Sequence, residues 1–161
     1  MFTIAQETDG DRAEVETLYD SCFAPGRRAL SSYRLRDGVA PVPDLCLLAR
    51  DENGIVGGAI RYWPVRVGAA EALLLGPVAV SATAQGAGLG GRLIRETLGR
   101  AAALGHARVL LVGDAPYYRR FGFSRLDGVA MPPPTNPDRV LGHALRPGAW
   151  DGVAGAVTRA A

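Results

Sequence analysis

Lysine is absent from this 161-residue chain, and all 18 basic side chains are arginine. A phosphate loop of the NTPase kind needs a lysine at the β/γ-phosphates, so the usual ATP and GTP sites are excluded before any motif is weighed. Charge of one sign is lacking too. The formal net charge is only +2, with no acidic or basic tail, so nucleic acid is not an expected partner. No apolar run approaches the roughly 18 residues of a membrane span, and Met1 to Glu7 lacks the basic start and apolar centre of a signal peptide. A cytoplasmic protein without a membrane partner is expected. Cysteine is scarce: Cys22 and Cys46 have no metal-ligand spacing and read as reduced, buried small hydrophobes, and no metal is expected.

What the chain does contain is glycine in one telling place. An apolar strand, Leu73 to Val80, passes through Ser81-Ala82-Thr83-Ala84 into Gln85-Gly86-Ala87-Gly88-Leu89-Gly90-Gly91, and a helix-patterned segment follows. Closely spaced backbone N–H groups without side-chain shielding, at the positive end of a helix, collect the charge of a pyrophosphate. Gly86, Gly88 and Gly91 also spell a dinucleotide fingerprint. Against that alternative, Ser81 to Gln85 intervene between strand and first glycine, and too little chain follows for a second mononucleotide-binding half.

The remaining pattern is periodic. Phe2 to Thr8 reads as a strand and Asp11 to Phe23 as an amphipathic helix with Val15, Leu18, Tyr19 and Cys22 on one face. Arg27 to Pro43, holding Arg27, Arg28, Arg34 and Arg36, reads as a mobile connection with one short helix. Leu45 to Arg50 and Ile55 to Val67 form a hairpin about Asn53-Gly54, and Glu71 to Val80 follows as a central strand. Leu89, Leu93, Ile94, Leu98 and Ala101 line a helix closed by Gly105, Arg108 to Val112 is an interior strand, and Pro116 starts a short helix. Arg139 to Leu145 suits a last strand, and Gly148 to Ala161 a C-terminal extension. The fold class is α/β, one domain over residues 1–161, with a central sheet of mixed strand directions flanked by helices.

Val80-Ser81-Ala82-Thr83-Ala84-Gln85-Gly86-Ala87-Gly88-Leu89-Gly90 resembles the acyl-CoA loop of the GNAT superfamily of N-acetyltransferases, with Ala82 where that family usually has proline. Tyr117-Tyr118-Arg119-Arg120-Phe121-Gly122-Phe123 resembles the family's Tyr-x-x-x-Gly-Phe. Arg146-Pro147-Gly148-Ala149-Trp150-Asp151-Gly152, with Gly113-Asp114-Ala115-Pro116, is similar to a bacterial subgroup of unassigned substrate. The resemblance implies a sheet parted between the strands ending near Val80 and Val112, and acetyl-CoA as co-substrate without a metal. It implies that the backbone of Val78, Ala79 and Val80 meets the pantetheine and thioester, and that Gln85, Gly86, Ala87, Gly88, Leu89, Gly90 and Gly91 hold the pyrophosphate.

By the same resemblance Tyr118, four residues before Gly122, serves the departing sulfur, with Tyr117 as its rival. An ordinary tyrosine, with a pKa about 1.5 units above that of a thiol, gives up its proton to the thiolate at a cost of roughly 2 kcal/mol, so donation of a hydrogen bond is expected to dominate. The acceptor it implies is an amine, on a small molecule or a protein, which attacks the thioester directly in a ternary complex. Its walls are expected from Arg27 to Pro43, the hairpin near Trp63 and the tail around Trp150. The four arginines suit either an anionic acceptor or a solvated surface. No base is identified: Glu71 and Asp114 suit surface or capping roles equally, and neither His106 nor His143 has a partner in view. A homodimer is left open. The alternatives are a catalytically silent acyl-CoA sensor and a small dinucleotide-binding oxidoreductase.

Overall fold

The computed structural model describes residues 1–23 and 31–160. Among the described residues, nine strands and four helices follow one another as β1 (Thr3–Gln6), α1 (Arg12–Cys22), α2 (Ser31–Arg34), β2 (Leu47–Arg50), β3 (Val56–Val67), β4 (Ala70–Val80), α3 (Leu89–Ala103), β5 (Arg108–Val112), α4 (Ala115–Arg119), β6 (Ser124–Arg125), β7 (Val129–Ala130), β8 (Val140–Ala144) and β9 (Gly155–Arg159). The sheet order is β1-β2-β3-β4-β5-β8-β6, with β9 beside the far end of β3 and paired with β7. All neighbours on the main path are antiparallel except β4 and β5, so the sheet is mixed, as expected. Such an order does not belong to the all-parallel dinucleotide fold.

Alternation along the central strands assigns the two faces. Ile60 and Tyr62 of β3 pack with Leu89, Leu93 and Ile94 of α3, while Ala59 packs with Val15, Leu18 and Tyr19 of α1. The two long helices therefore cover opposite faces. In β4 the alternation changes phase: Leu73 and Leu75 face α3, and beyond Gly76–Pro77 the residues on that face are Val78 and Val80. The cause is a bulge, since Ile60 opposes Val78 and Tyr62 opposes Leu75, leaving Gly76 and Pro77 against Arg61 alone. Gly76 takes φ 139°, which glycine supplies without a side-chain clash.

The tail departs from expectation. Residues 148–160 are not a free extension: β9 pairs with Val65, Arg66 and Val67 of β3, and Val157 sits in an apolar cluster with Leu35, Met131 and Val140. Its alternation is short and its neighbours are distant in sequence, so no local pattern announces it. Cys46 is buried as expected, with its thiol pushed up to about 11 by burial, but Cys22 is exposed at the end of α1. Arg27 and Arg28 lie outside the described residues.

Candidate functional site

β4 and β5 pair only through Leu73↔Val109 and Leu74↔Leu110, after which no strand occupies the β5-facing edge of β4 among the described residues. β5 turns instead toward β8, where the Gly113 N–H donates to the Arg139 carbonyl at 2.9 Å. A gap opens between the strands, with Val78, Ala79 and Val80 along one side. This is the parting that the resemblance implied, and it lies beside the bulge.

At the end of β4 a 3-10 turn, Ala82–Ala84, leads to Gly86 at φ 90° and Gly88 at φ 71°. A side chain at either would meet nothing within 4 Å, so the loop is set by backbone conformation and faces open space. Gly88 is the N-cap of α3 and has no side chain to cap it. Arg92 N–H is bonded to Gly88 O at 3.1 Å, which leaves the N–H groups of Leu89, Gly90 and Gly91 at the helix start without intrahelical acceptors. Such a terminus is electropositive and suited to phosphate oxygens. Gln85 and Ala87 complete the turn between these points.

The tyrosines arrive from the other side of the gap. Asp114 caps α4 by accepting from Tyr117 N–H at 3.3 Å, which settles its part as a cap. Tyr118 lies over the end of β5, where a Cβ at Gly113 would come within 2.5 Å of its ring, so glycine is required there. Burial, followed by the neighbouring Tyr117, pushes the Tyr118 hydroxyl up to about 12. The Tyr117 hydroxyl comes close to the start of α3: an ideal Cβ on Gly90 would be 3.5 Å from it and 3.5 Å from Val80 Cγ2. Tyr117 thus stands at the loop, and Tyr118 at the end of β5.

Sequence reasoning missed the opposite wall, which α1, α2 and β3 build around the bulge. Tyr19 Oη donates to Pro77 O at 3.2 Å and Trp63 Nε1 donates to Gly76 O at 2.7 Å, so both bulge carbonyls are held by aromatic side chains. Arg61, opposite the bulge, donates through Nε and Nη2 to Glu7 at 3.0 and 2.8 Å and through Nη1 to Glu16. A cavity of about 250 Å³ is lined there by Glu16, Tyr33, Arg36, Asp37, Gly38, Arg61, Trp63 and Pro77. A second of about 690 Å³ shares Glu16, Arg36, Arg61 and Trp63. Only contacts across the fold make this wall, although Arg36 and Trp63 were marked as acceptor-side candidates.

The other candidates lie elsewhere. Glu71 is exposed near the start of β4, opposite Arg66 at 3.9 Å and at the far end of the strand from Val80. His106 sits in the turn after α3, and His143, on β8, has its Nδ1 3.1 Å from the Gly122 carbonyl oxygen. Trp150 packs with the apolar cluster that includes Val157 of β9 and lines neither of the two cavities beside the bulge.

Comparison with known proteins agrees with this architecture. Residues 43–125 match the model of the acetyltransferase (GNAT) domain family. The uncharacterized N-acetyltransferase YjhQ of Escherichia coli is 34% identical over 130 residues, covering 79% of this chain and 72% of YjhQ. The match to YhbS of Escherichia coli is 37% over 81 residues, only 48% of the length of that protein. In three dimensions the likeness to YhbS is wider: its crystal structure with CoA superposes with a TM-score of 0.84 and 29% identity, over 98% of this chain and 89% of YhbS. A GNAT acetyltransferase from Brucella melitensis, solved with acetyl-CoA, gives 0.74 and 30%, over 100% of this chain and 97% of its own.

Proposed function

The chain belongs to the GNAT family of acetyltransferases, and from that premise we propose that it is an acetyl-CoA-dependent N-acetyltransferase which moves an acetyl group to a primary amine by direct attack in a ternary complex. The observation that carries the reading is the parted β4–β5 edge, ending in an uncapped helix start between two left-handed glycines and a tyrosine pair. A turn built for tight packing alone gives no reason for the strand edge to be left open beside it.

In this reading acetyl-CoA supplies an acetyl group already activated as a thioester. Backbone N–H groups from Gln85 to Gly91 hold the pyrophosphate, with Gly86 and Gly88 keeping side chains out of its way. The open edge at Val78, Ala79 and Val80 hydrogen-bonds the pantetheine and polarises the acyl carbonyl, and the bulge turns those groups outward. Tyr118 hydrogen-bonds the sulfur as it departs. With its hydroxyl at about 12, full proton transfer to a thiolate with a conjugate pKa of about 8.5 is uphill by roughly 5 kcal/mol, so Tyr118 acts as a donor that keeps its proton. The amine enters from the cavity walled by α1, α2 and Trp63. The domain is taken as residues 1–161, its apolar clusters all packing on the sheet, and a cytoplasmic location suits its two unbonded cysteines.

The test is a comparison of acetyl-CoA, CoA, ATP, NADH and NADPH by thermal shift and calorimetry, followed by turnover with a panel of amines. A ligand at about 100 times its Kd stabilises a domain by about 2.7 kcal/mol, several degrees of melting temperature. Selective response to the CoA species and acetylation of an amine are expected. CoA binding without turnover would instead favour the silent sensor.

A further inference from the structure

Arg36 is 9% exposed, and its guanidinium carbon sits 4.0 Å from the Tyr33 ring centroid and 5.5 Å from that of Trp63. Its Nε and Nη1 are buried and have no hydrogen-bond partner among the described residues, nor is Arg36 in an ion pair there. Buried donors are almost always satisfied, and a guanidinium does not shed its charge to escape the cost. Arg61, in the same cavity, differs: Glu7 and Glu16 already engage it. Among the described lining residues, Arg36 is therefore the cation available to an incoming anion.

Its place relative to the acyl site limits what that anion belongs to. An ideal Cβ on Gly76 would be 3.1 Å from Arg36 Nη2, so the guanidinium lies against the bulge. Gly76 stands two residues before Val78, roughly 7 Å along a strand. A group bound to Arg36 is thus only a few bonds from an amine beside the thioester. The cavity of about 250 Å³ suits a small molecule. The guanidinium carbon lies over the Tyr33 ring, a side chain that also hydrogen-bonds Arg36, and it is Nε and Nη1 that are left to donate, a pair that a planar carboxylate can meet.

We infer that the acceptor is a short zwitterionic amine of the amino-acid kind, whose carboxylate is held by Arg36 while its amine faces the acyl group; this rests on the N-acetyltransferase reading above. A diamine or a protein lysine side chain offers no anion at that distance and leaves the Arg36 donors unmet. Burial, which pulls the Arg36 pKa down to about 10, adds to the demand for a counter-charge. The C-terminal segment keeps the residue in place: Arg34 Nη1 donates to Pro133 O at 2.9 Å, Arg159 Nη1 donates to Asp37 O at 3.0 Å, and Leu35 is buried with Met131 and Val157.

The experiment measures kcat/KM on the full chain with acetyl-CoA and matched acceptors: an α-amino acid, its methyl ester, the amine lacking the carboxyl group, and an aminoalkyl phosphate of similar length. The acid should exceed the ester and the bare amine by about 10- to 100-fold, as expected for a charge-assisted contact. In Arg36→Met that ratio should collapse toward one, and Arg36→Lys should keep an intermediate ratio. Melting curves and acetyl-CoA affinity of each variant separate a lost pocket from a lost fold; should Arg36→Met unfold, Arg36→Lys decides. Equal rates for acid and ester in the parent, or equal losses for both in the variants, would overturn the inference, and so would preference for the phosphate. If acetyl-CoA binds but no amine is acetylated, the transferase reading fails by itself. Amino-acid binding to the CoA-loaded protein, measured by calorimetry, then judges Arg36: binding lost in Arg36→Met upholds the inference, and no binding in the parent overturns it.

Discussion

Tyr117 and Tyr118 stand edge-on, their ring centroids 5.0 Å apart at 89°, so two adjacent hydroxyls meet different surroundings. One comes close to the start of α3 and Val80, and the other belongs to a ring that covers Gly113 at the end of β5. Tyr118→Phe should lower kcat by about 100-fold with acetyl-CoA affinity nearly unchanged, the size expected for losing a donor to a leaving group. Tyr117→Phe should cost less in kcat. Steady-state kinetics with calorimetry on both variants checks this, and an unchanged rate for Tyr118→Phe would remove it from the mechanism.

Gly88 offers a sharper test of the loop. Aspartate tolerates left-handed backbone better than most residues and is a good N-cap, so Gly88→Asp should fold at a cost of about 1 kcal/mol or less. Its carboxylate would stand where phosphate is proposed to bind. The expected result is a melting temperature within a few degrees of the parent and no further rise on adding CoA.

Alkaline stability should report Tyr118 as well. Its pKa is about 12 in the folded chain against an ordinary 10, so the folded state retains a proton that the unfolded state loses. That contribution is fully present below pH 10 and is lost as pH rises through about 12. Buried Tyr19 and Tyr62 are raised by burial in the same sense. Denaturant midpoints should therefore fall between pH 10 and 12, and fall less steeply in Tyr118→Phe.

The two arginines beside the bulge should respond to removal by different amounts. Arg61→Met leaves Glu7 and Glu16 without their shared partner, and breaking a buried ion pair in this way costs about 3 kcal/mol or more. Arg36→Met removes a buried charge that has no described ion-pair partner, and is expected to change stability by no more than about 1 kcal/mol in either direction. Chemical denaturation of both variants tests the contrast.

Much of the cofactor side was legible because its signals are local. Glycines at 86 and 88 stand where left-handed backbone is needed, the α3 stripe has helical spacing, and Gly76-Pro77 marked an interruption where the bulge occurs. The acceptor side was legible only as a set of variable segments. Arg36, Trp63, Tyr19 and Glu7 come from four elements or loops, and only contacts distant in sequence join them: Glu7, Arg36 and Trp63 line one cavity, and Tyr19 reaches the Pro77 carbonyl beside it. β9 escaped for a similar reason: its strand character depends on the free edge of β3, some ninety residues earlier in the chain. Cys22 followed the apolar spacing of α1, yet it falls on the last turn, where its thiol reaches the Val80 carbonyl at 3.5 Å instead of the core.

The bulge also constrains how this molecule can change over time. By shifting β4 one step, it lets the strand present leucines to α3 before Gly76 and valines to the same helix after Pro77, while Ala79 meets α1. Deleting either residue would leave one residue opposite Arg61 and restore a regular ladder with the leucines and valines still on α3, but it would remove the extra residue that bends the strand at this point. Acceptor preference can drift by side-chain replacement around that point, whereas loss of the extra residue would spare both helix contacts and withdraw one of the two carbonyls that Tyr19 and Trp63 now hold.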